Sequence, residues 1–145
     1  EGKEFIPSLG QIQTFSPKDA FEKMLMNEGT LGYGVSTGTK LICRNLVMNP
    51  YPLFFDEDMV FGEDTVWIAG LLERATCIAM DSSVMMRYST DCENSVCHNI
   101  ALRERMLHAR WKRNYLENHG YHGKVVDFMR QEEKKLLIQM LFDHR

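Results

Sequence analysis

Two adjacent carboxylates, Glu63 and Asp64, stand directly ahead of the apolar run Val66-Trp67-Ile68-Ala69-Gly70-Leu71-Leu72. Acids at a helix start face the positive end of its dipole, which favours the ionised form, while repulsion between the two opposes it. A carboxylate partly desolvated in a cleft can take a proton from a hydroxyl as a general base. Acids also occur at helix starts for stability alone. Just upstream, Asp56-Glu57-Asp58 matches Asp-x-Asp, a spacing that can hold Mg²⁺ or Mn²⁺ between carboxylates and a substrate phosphate. Such spacing also arises in surface loops without a metal. Arg87 is a charge within the apolar run Met85-Met86-Arg87-Tyr88, placed to meet a phosphate or an acid, or to reach solvent at an edge. His119-Gly120-Tyr121-His122 lacks a third ligand nearby and reads as a helix-ending turn.

The elements around these residues follow from pattern. Ser16-Pro17-Lys18-Asp19 opens a helix, with Ser16 as cap, proline at the first helical position and Phe15 placed to pack on Ala20. Its stripe is Ala20, Phe21, Met24 and Leu25, and Gly29 is its stop. The glycine-rich stretch from Thr30 to Gly38 lacks the strand–loop–helix context of a phosphate cradle and reads as a flexible surface loop. Thr39-Lys40-Leu41-Ile42-Cys43 reads as a strand. Trp67, Ile68, Leu71, Leu72 and Ala75 share one face, so a buried helix starts at the acidic pair. Cys77–Met80 and Val84–Tyr88 read as a hairpin about Asp81-Ser82-Ser83. From Val96 two amphipathic helices follow, one basic (Arg103, Arg105, Arg110, Lys112, Arg113), the other with Met129, Leu136, Leu137, Met140 and Leu141 on its apolar stripe.

Composition narrows the class. The 145 residues are 44% hydrophobic and 26% charged, which excludes wholesale disorder and leaves room for one packed domain. Seventeen Lys and Arg against twenty Asp and Glu, a net charge of −3, argue against a nucleic-acid footprint. No run approaches the ~18 apolar residues of a membrane span. The four cysteines include no Cys-x-x-Cys and read as reduced thiols. The chain begins at Glu1, inside a polar run, as an excised piece of a longer protein would.

In order, Thr39-Lys40-Leu41-Ile42-Cys43-Arg44, then Phe55-Asp56-Glu57-Asp58-Met59-Val60-Phe61-Gly62-Glu63-Asp64-Thr65, resemble a stretch of bacterial family 2 glycosyltransferases. Those enzymes carry a Lys-Leu-aromatic-Arg-Arg-type strand, a Phe-x-Glu…Glu-Asp-Thr-type loop and an apolar helix. Arg87-Tyr88-Ser89 and Asn94-Ser95 resemble the family's Tyr-Arg…Asn-Ser segment. The resemblance spans roughly Phe15 to Ser95 and is strongest from Phe61 to Leu72.

It implies an α+β chain that is the C-terminal, acceptor-side part of a GT-A-like fold over residues 1–95, followed by a helical extension over 96–145. It also implies transfer of a sugar from a nucleotide-sugar donor to a saccharide acceptor in surface or capsular polysaccharide synthesis. Asp64 matches the catalytic base, and Glu63, Lys40 and Arg87 match substrate-binding positions. A divalent Mn²⁺ or Mg²⁺ is expected in the intact enzyme, with its main ligands and the nucleotide-binding half upstream of this chain. Asp56-Glu57-Asp58 aligns with the acidic loop before Glu-Asp-Thr, not with the family's metal motif. The expected setting is cytoplasmic, with peripheral contact at the inner membrane face through the basic helix 103–113. The alternatives are a non-catalytic interaction or membrane-surface module and a metal-dependent hydrolase. The hydrolase would need histidines near the acids, and none of the five lies before residue 98.

Overall fold

A computed structural model describes residues 12–26, 34–81 and 100–143. These residues are mixed helix and strand, with five α-helices and one two-stranded sheet, as an α+β chain requires. The chain divides into two compact units, Glu1–Asp56 with Glu63–Tyr88, and Glu57–Gly62 with Ser89–Arg145.

In the first unit, β1 (Ile12–Phe15) leads into α1 (Pro17–Met26). Ser16 caps α1: its Oγ accepts from Asp19 N–H at 3.1 Å and donates to Asp19 Oδ2 at 2.6 Å. Ala20, Phe21, Met24 and Leu25 are buried, as the spacing requires. The Phe15 ring, expected to pack on Ala20, lies under the Lys23 ammonium at 5.2 Å. The expected stop at Gly29 lies outside the described residues. After a 3₁₀ turn at Thr37–Thr39, the chain runs through α2 (Arg44–Met48), α3 (Glu63–Leu72) and β2 (Ile78–Asp81).

One expectation is corrected here. Residues 39–43 form no strand, because Lys40 turns back into the preceding loop and Leu41 and Cys43 are exposed, leaving no face to bury. The strand β2 pairs antiparallel with β1, Phe15 opposite Ile78 and Ile12 opposite Asp81; the expected hairpin partner Val84–Tyr88 lies outside the described residues. On α3 the buried residues are Thr65, Ile68, Ala69, Leu71 and Leu72, and Trp67 is only half-buried.

In the second unit, α4 (Leu102–Asn118) and α5 (Lys124–Asp143) are joined by a tight turn. Gly120, at φ +69°, and the bond from Tyr121 N–H to Leu116 O at 2.9 Å end α4 in a Schellman closure, so His119–His122 is the helix-ending turn expected. The two helices pack on each other, and Met106, Ala109, Leu116, Val125, Val126 and Met129 are buried in this unit. The α5 stripe is buried only at its start; Leu137 and Leu141 are exposed.

His108 is buried in this unit without a hydrogen bond to Nε2 among the described residues. Burial first, and then the charge of Lys112, hold its pKa down at about 3. The ring stands edge-on to Phe61 at 5.2 Å and lies against Gly62, where a Cβ would clash with the imidazole carbons. Gly62 also has φ +91°, in the left-handed region. Gly62→Ala therefore costs about 2–4 kcal/mol in chemical denaturation, from backbone strain plus overpacking. In a His108→Ala background the cost is smaller, because the clash is gone. The pH dependence has a fixed sign. The imidazole binds its proton more readily unfolded, near 6.5, than folded, near 3. Its stability contribution is complete above 6.5 and declines as pH falls toward 3, by up to about 1.4 kcal/mol per pH unit. His108→Leu removes that slope from the acid limb of the stability curve.

Candidate functional site

Asp64, the second residue of α3, is half-buried and turned toward the loop that precedes Lys40. The Thr37 hydroxyl donates to Asp64 Oδ1 at 2.7 Å, and Thr37 N–H reaches Oδ2 at 3.3 Å across 27 residues of chain. Both carboxylate oxygens are thus oriented by one residue, and each keeps a further lone pair. This is the arrangement of a base held by a positioning group. It is equally a tie between a loop and a helix.

Lys40 lies on the same loop. Its Nζ donates to Gly34 O at 2.6 Å, Ser36 O at 2.8 Å and Thr39 Oγ1 at 3.1 Å. An ammonium has three donors, so all are directed into the loop. Burial lowers its pKa to about 8, and the Asp64 carboxylate partly offsets the shift. The glycine-rich stretch is therefore more than the surface loop its composition suggested: in its described part Val35 is buried and the carbonyls of 34 and 36 close on a cation.

Glu63 begins α3, half-buried, with no hydrogen bond among the described residues. Asp64 and Lys40, both singled out from sequence, come together, with Glu63 adjacent in the chain. Arg87 lies outside the described residues. Asp56, Glu57 and Asp58 are exposed, and no group of three His, Cys, Asp or Glu side chains among the described residues could hold a metal ion. The described residues do not fit the divalent metal expected of the intact enzyme.

Sequence reasoning missed Thr37, whose only signal was a hydroxyl in the turn before Lys40. It also missed Arg74, just past the end of α3. Arg74 Nη1 is within 2.9–3.2 Å of the carbonyl oxygens of Leu46, Val47, Asn49 and Tyr51, and its guanidinium covers the Tyr51 ring at 4.8 Å. This cation fixes the segment that leads to Leu53, whose carbonyl accepts from Trp67 Nε1–H at 3.1 Å.

The basic helix is largely neutralised within its own unit. Arg110 and Arg113 both bind Glu133, at 2.7 and 2.6 Å, Arg113 also binds Glu117 at 2.8 Å, and Arg103 pairs with Glu104 at 3.1 Å. Lys112 is buried. Burial pushes the Glu133 carboxyl up, but hydrogen bonds from Arg110 and Arg113 outweigh it and hold the group below the usual carboxylate range.

Comparison of the chain with protein-family models, curated proteins and solved structures finds no match in any of the three.

The tie between loop and helix is directly testable. Thr37→Val removes the hydroxyl donor to a part-buried carboxylate and costs about 1.5–3 kcal/mol in urea unfolding, the range for a hydrogen bond to a charged group. Thr37→Ser keeps the donor and stays within about 0.5 kcal/mol of the parent. Equal losses in the two variants would mean that the methyl group, not the hydroxyl, makes the contact.

Proposed function

We propose that this chain is the acceptor-side part of a GT-A-like glycosyltransferase, moving a sugar from a nucleotide-sugar donor to a saccharide acceptor in surface or capsular polysaccharide synthesis. One observation carries the reading. Asp64 is held by Thr37, on the same loop as Lys40, and its charge acts on the Lys40 ammonium. In the reaction the acceptor oxygen bonds to the anomeric carbon as the bond to the nucleoside diphosphate breaks, and Asp64 takes the hydroxyl proton. Thr37 holds the carboxylate at the required angle. Lys40 contributes charge, since its donors are spent on the loop. Glu63, beside the base, accepts from the acceptor, and Arg87 remains a substrate-binding proposal. A divalent Mn²⁺ or Mg²⁺ belongs to the nucleotide-binding half, where it would neutralise the departing diphosphate. The setting is cytoplasmic.

A second reading, a non-catalytic or membrane-surface module, draws on the exposed Leu137, Ile138 and Leu141 of α5. No helix among the described residues is long and apolar enough to cross a membrane.

The deciding experiment is Asp64→Asn in the polypeptide that joins this chain to a nucleotide-binding half. Turnover falls about 10²–10⁴-fold, the usual contribution of a general base, while donor affinity hardly moves. Because the new amide confronts Thr37 with a donor on one side, stability drops by about 1–2 kcal/mol. Turnover within a few-fold of the parent would make Asp64 a structural tie only.

This chain by itself is expected to bind no uridine diphosphate sugar at micromolar strength in titration calorimetry with Mn²⁺. Such binding, abolished by a chelator, would mean that Asp56 and Asp58 form a metal site.

A further inference from the structure

The aromatic residues ahead of α3 have no part in the chemistry above. Phe55 stacks on Trp67 with ring centroids 4.8 Å apart and planes 11° from parallel. The indole is fixed, since its Nε1–H is bound to Leu53 O at 3.1 Å, two residues before Phe55. Gly70, one turn beyond Trp67, lets Leu53 approach closely: a Cβ there would lie 3.2 Å from Leu53 Cδ2. Segment and helix are thus clamped together before any ligand arrives. Even so, Phe55 is 43% exposed.

Single apolar side chains on a surface are ordinary. A stacked pair locked by a hydrogen bond and still open to solvent is a pre-formed plane, for which little ordering cost remains on binding. Glu63 stands one helical turn before Trp67, so the face of α3 that carries the indole also carries a carboxylate acceptor. A pyranose has the complementary character, with an apolar C–H face and hydroxyl donors around its rim. The rivals fit less well. An anionic bilayer would be repelled by Asp56 and Glu63. An organic cation is held best by rings on several sides, and these two rings lie parallel.

We propose that the Phe55–Trp67 stack is a saccharide-binding platform, on which a pyranose ring lies with its C–H face on Phe55 while Glu63 accepts from its hydroxyls. Identifying that sugar as the acceptor rests on the transferase reading; the platform itself does not.

The full chain is applied to an oligosaccharide array beside Phe55→Ala, Phe55→Tyr and Phe54→Ala. Retained glycans are then titrated in solution with Trp111→Phe present, so that Trp67 is the sole tryptophan reporter. The expected result is a defined set of pyranose glycans that quench or shift Trp67 emission. Phe55→Ala weakens them at least about tenfold, the scale of removing one aromatic anchor. Phe55→Tyr keeps the plane and the binding, and Phe54→Ala, which removes an exposed ring outside the stack, leaves binding unchanged. Retention of no glycan, equal binding by Phe55→Ala, or equal loss in Phe54→Ala and Phe55→Ala overturns the platform. So does a chain that self-associates through these rings, seen as a dimer in sedimentation that Phe55→Ala converts to monomer. Phe55-dependent glycan binding with no sugar transfer by the parent polypeptide would keep the platform and remove the transferase. Loss of turnover in Asp64→Asn without Phe55-dependent binding would do the reverse.

Discussion

The hydrogen-bonded pair of Thr37 and Asp64 joins a loop rich in glycine to the start of α3, the most apolar of the described helices. Glycine-rich backbone loses much entropy on ordering, so such a loop needs a specific anchor. Thr37 supplies it with both of its donors, and the turn that follows brings Lys40 back onto the same loop. The placement of Asp64, the enclosure of Lys40 and the entry to α3 all depend on that tie.

A common device recurs in the first unit. Two irregular segments leave backbone carbonyls converging, and each convergence is filled by a cation of the chain itself. Lys40 fills the one at 34–39, and Arg74 the one at 46–51. Converging carbonyl dipoles with no donor would be costly, and a desolvated cation without acceptors would be costlier still. Each compensates the other. The helical unit uses different means. There Glu117 and Glu133 collect guanidinium groups across the helix pair, and burial together with the Lys112 charge keeps His108 neutral.

What the sequence made legible follows physical scale. Helix α1 was readable from its cap to its stripe because Ser16, Asp19 and the apolar spacing all act within a few residues. The helix at the acidic pair and the turn at Gly120 were readable for the same reason. Pairing of β1 with β2 was not, since strand partners far apart in sequence leave no local mark. The misread strand at 39–43 had the right residue types but no surface to pack on. Within the site, Asp64 stood out from its place at a helix start and Lys40 from the resemblance, whereas Thr37 and Arg74 act through tertiary geometry that residue types do not encode.

The claim on which the site rests is that Asp64 and Lys40 share one electrostatic environment. Titration of the Lys40 side chain by NMR in the parent and in Asp64→Asn measures it directly. Burial should place the parent value near 8, and removal of the Asp64 charge, which holds the ammonium up, should move it lower still. A Lys40 that titrates at the ordinary 10.5 and does not respond to Asp64→Asn would contradict the site as described.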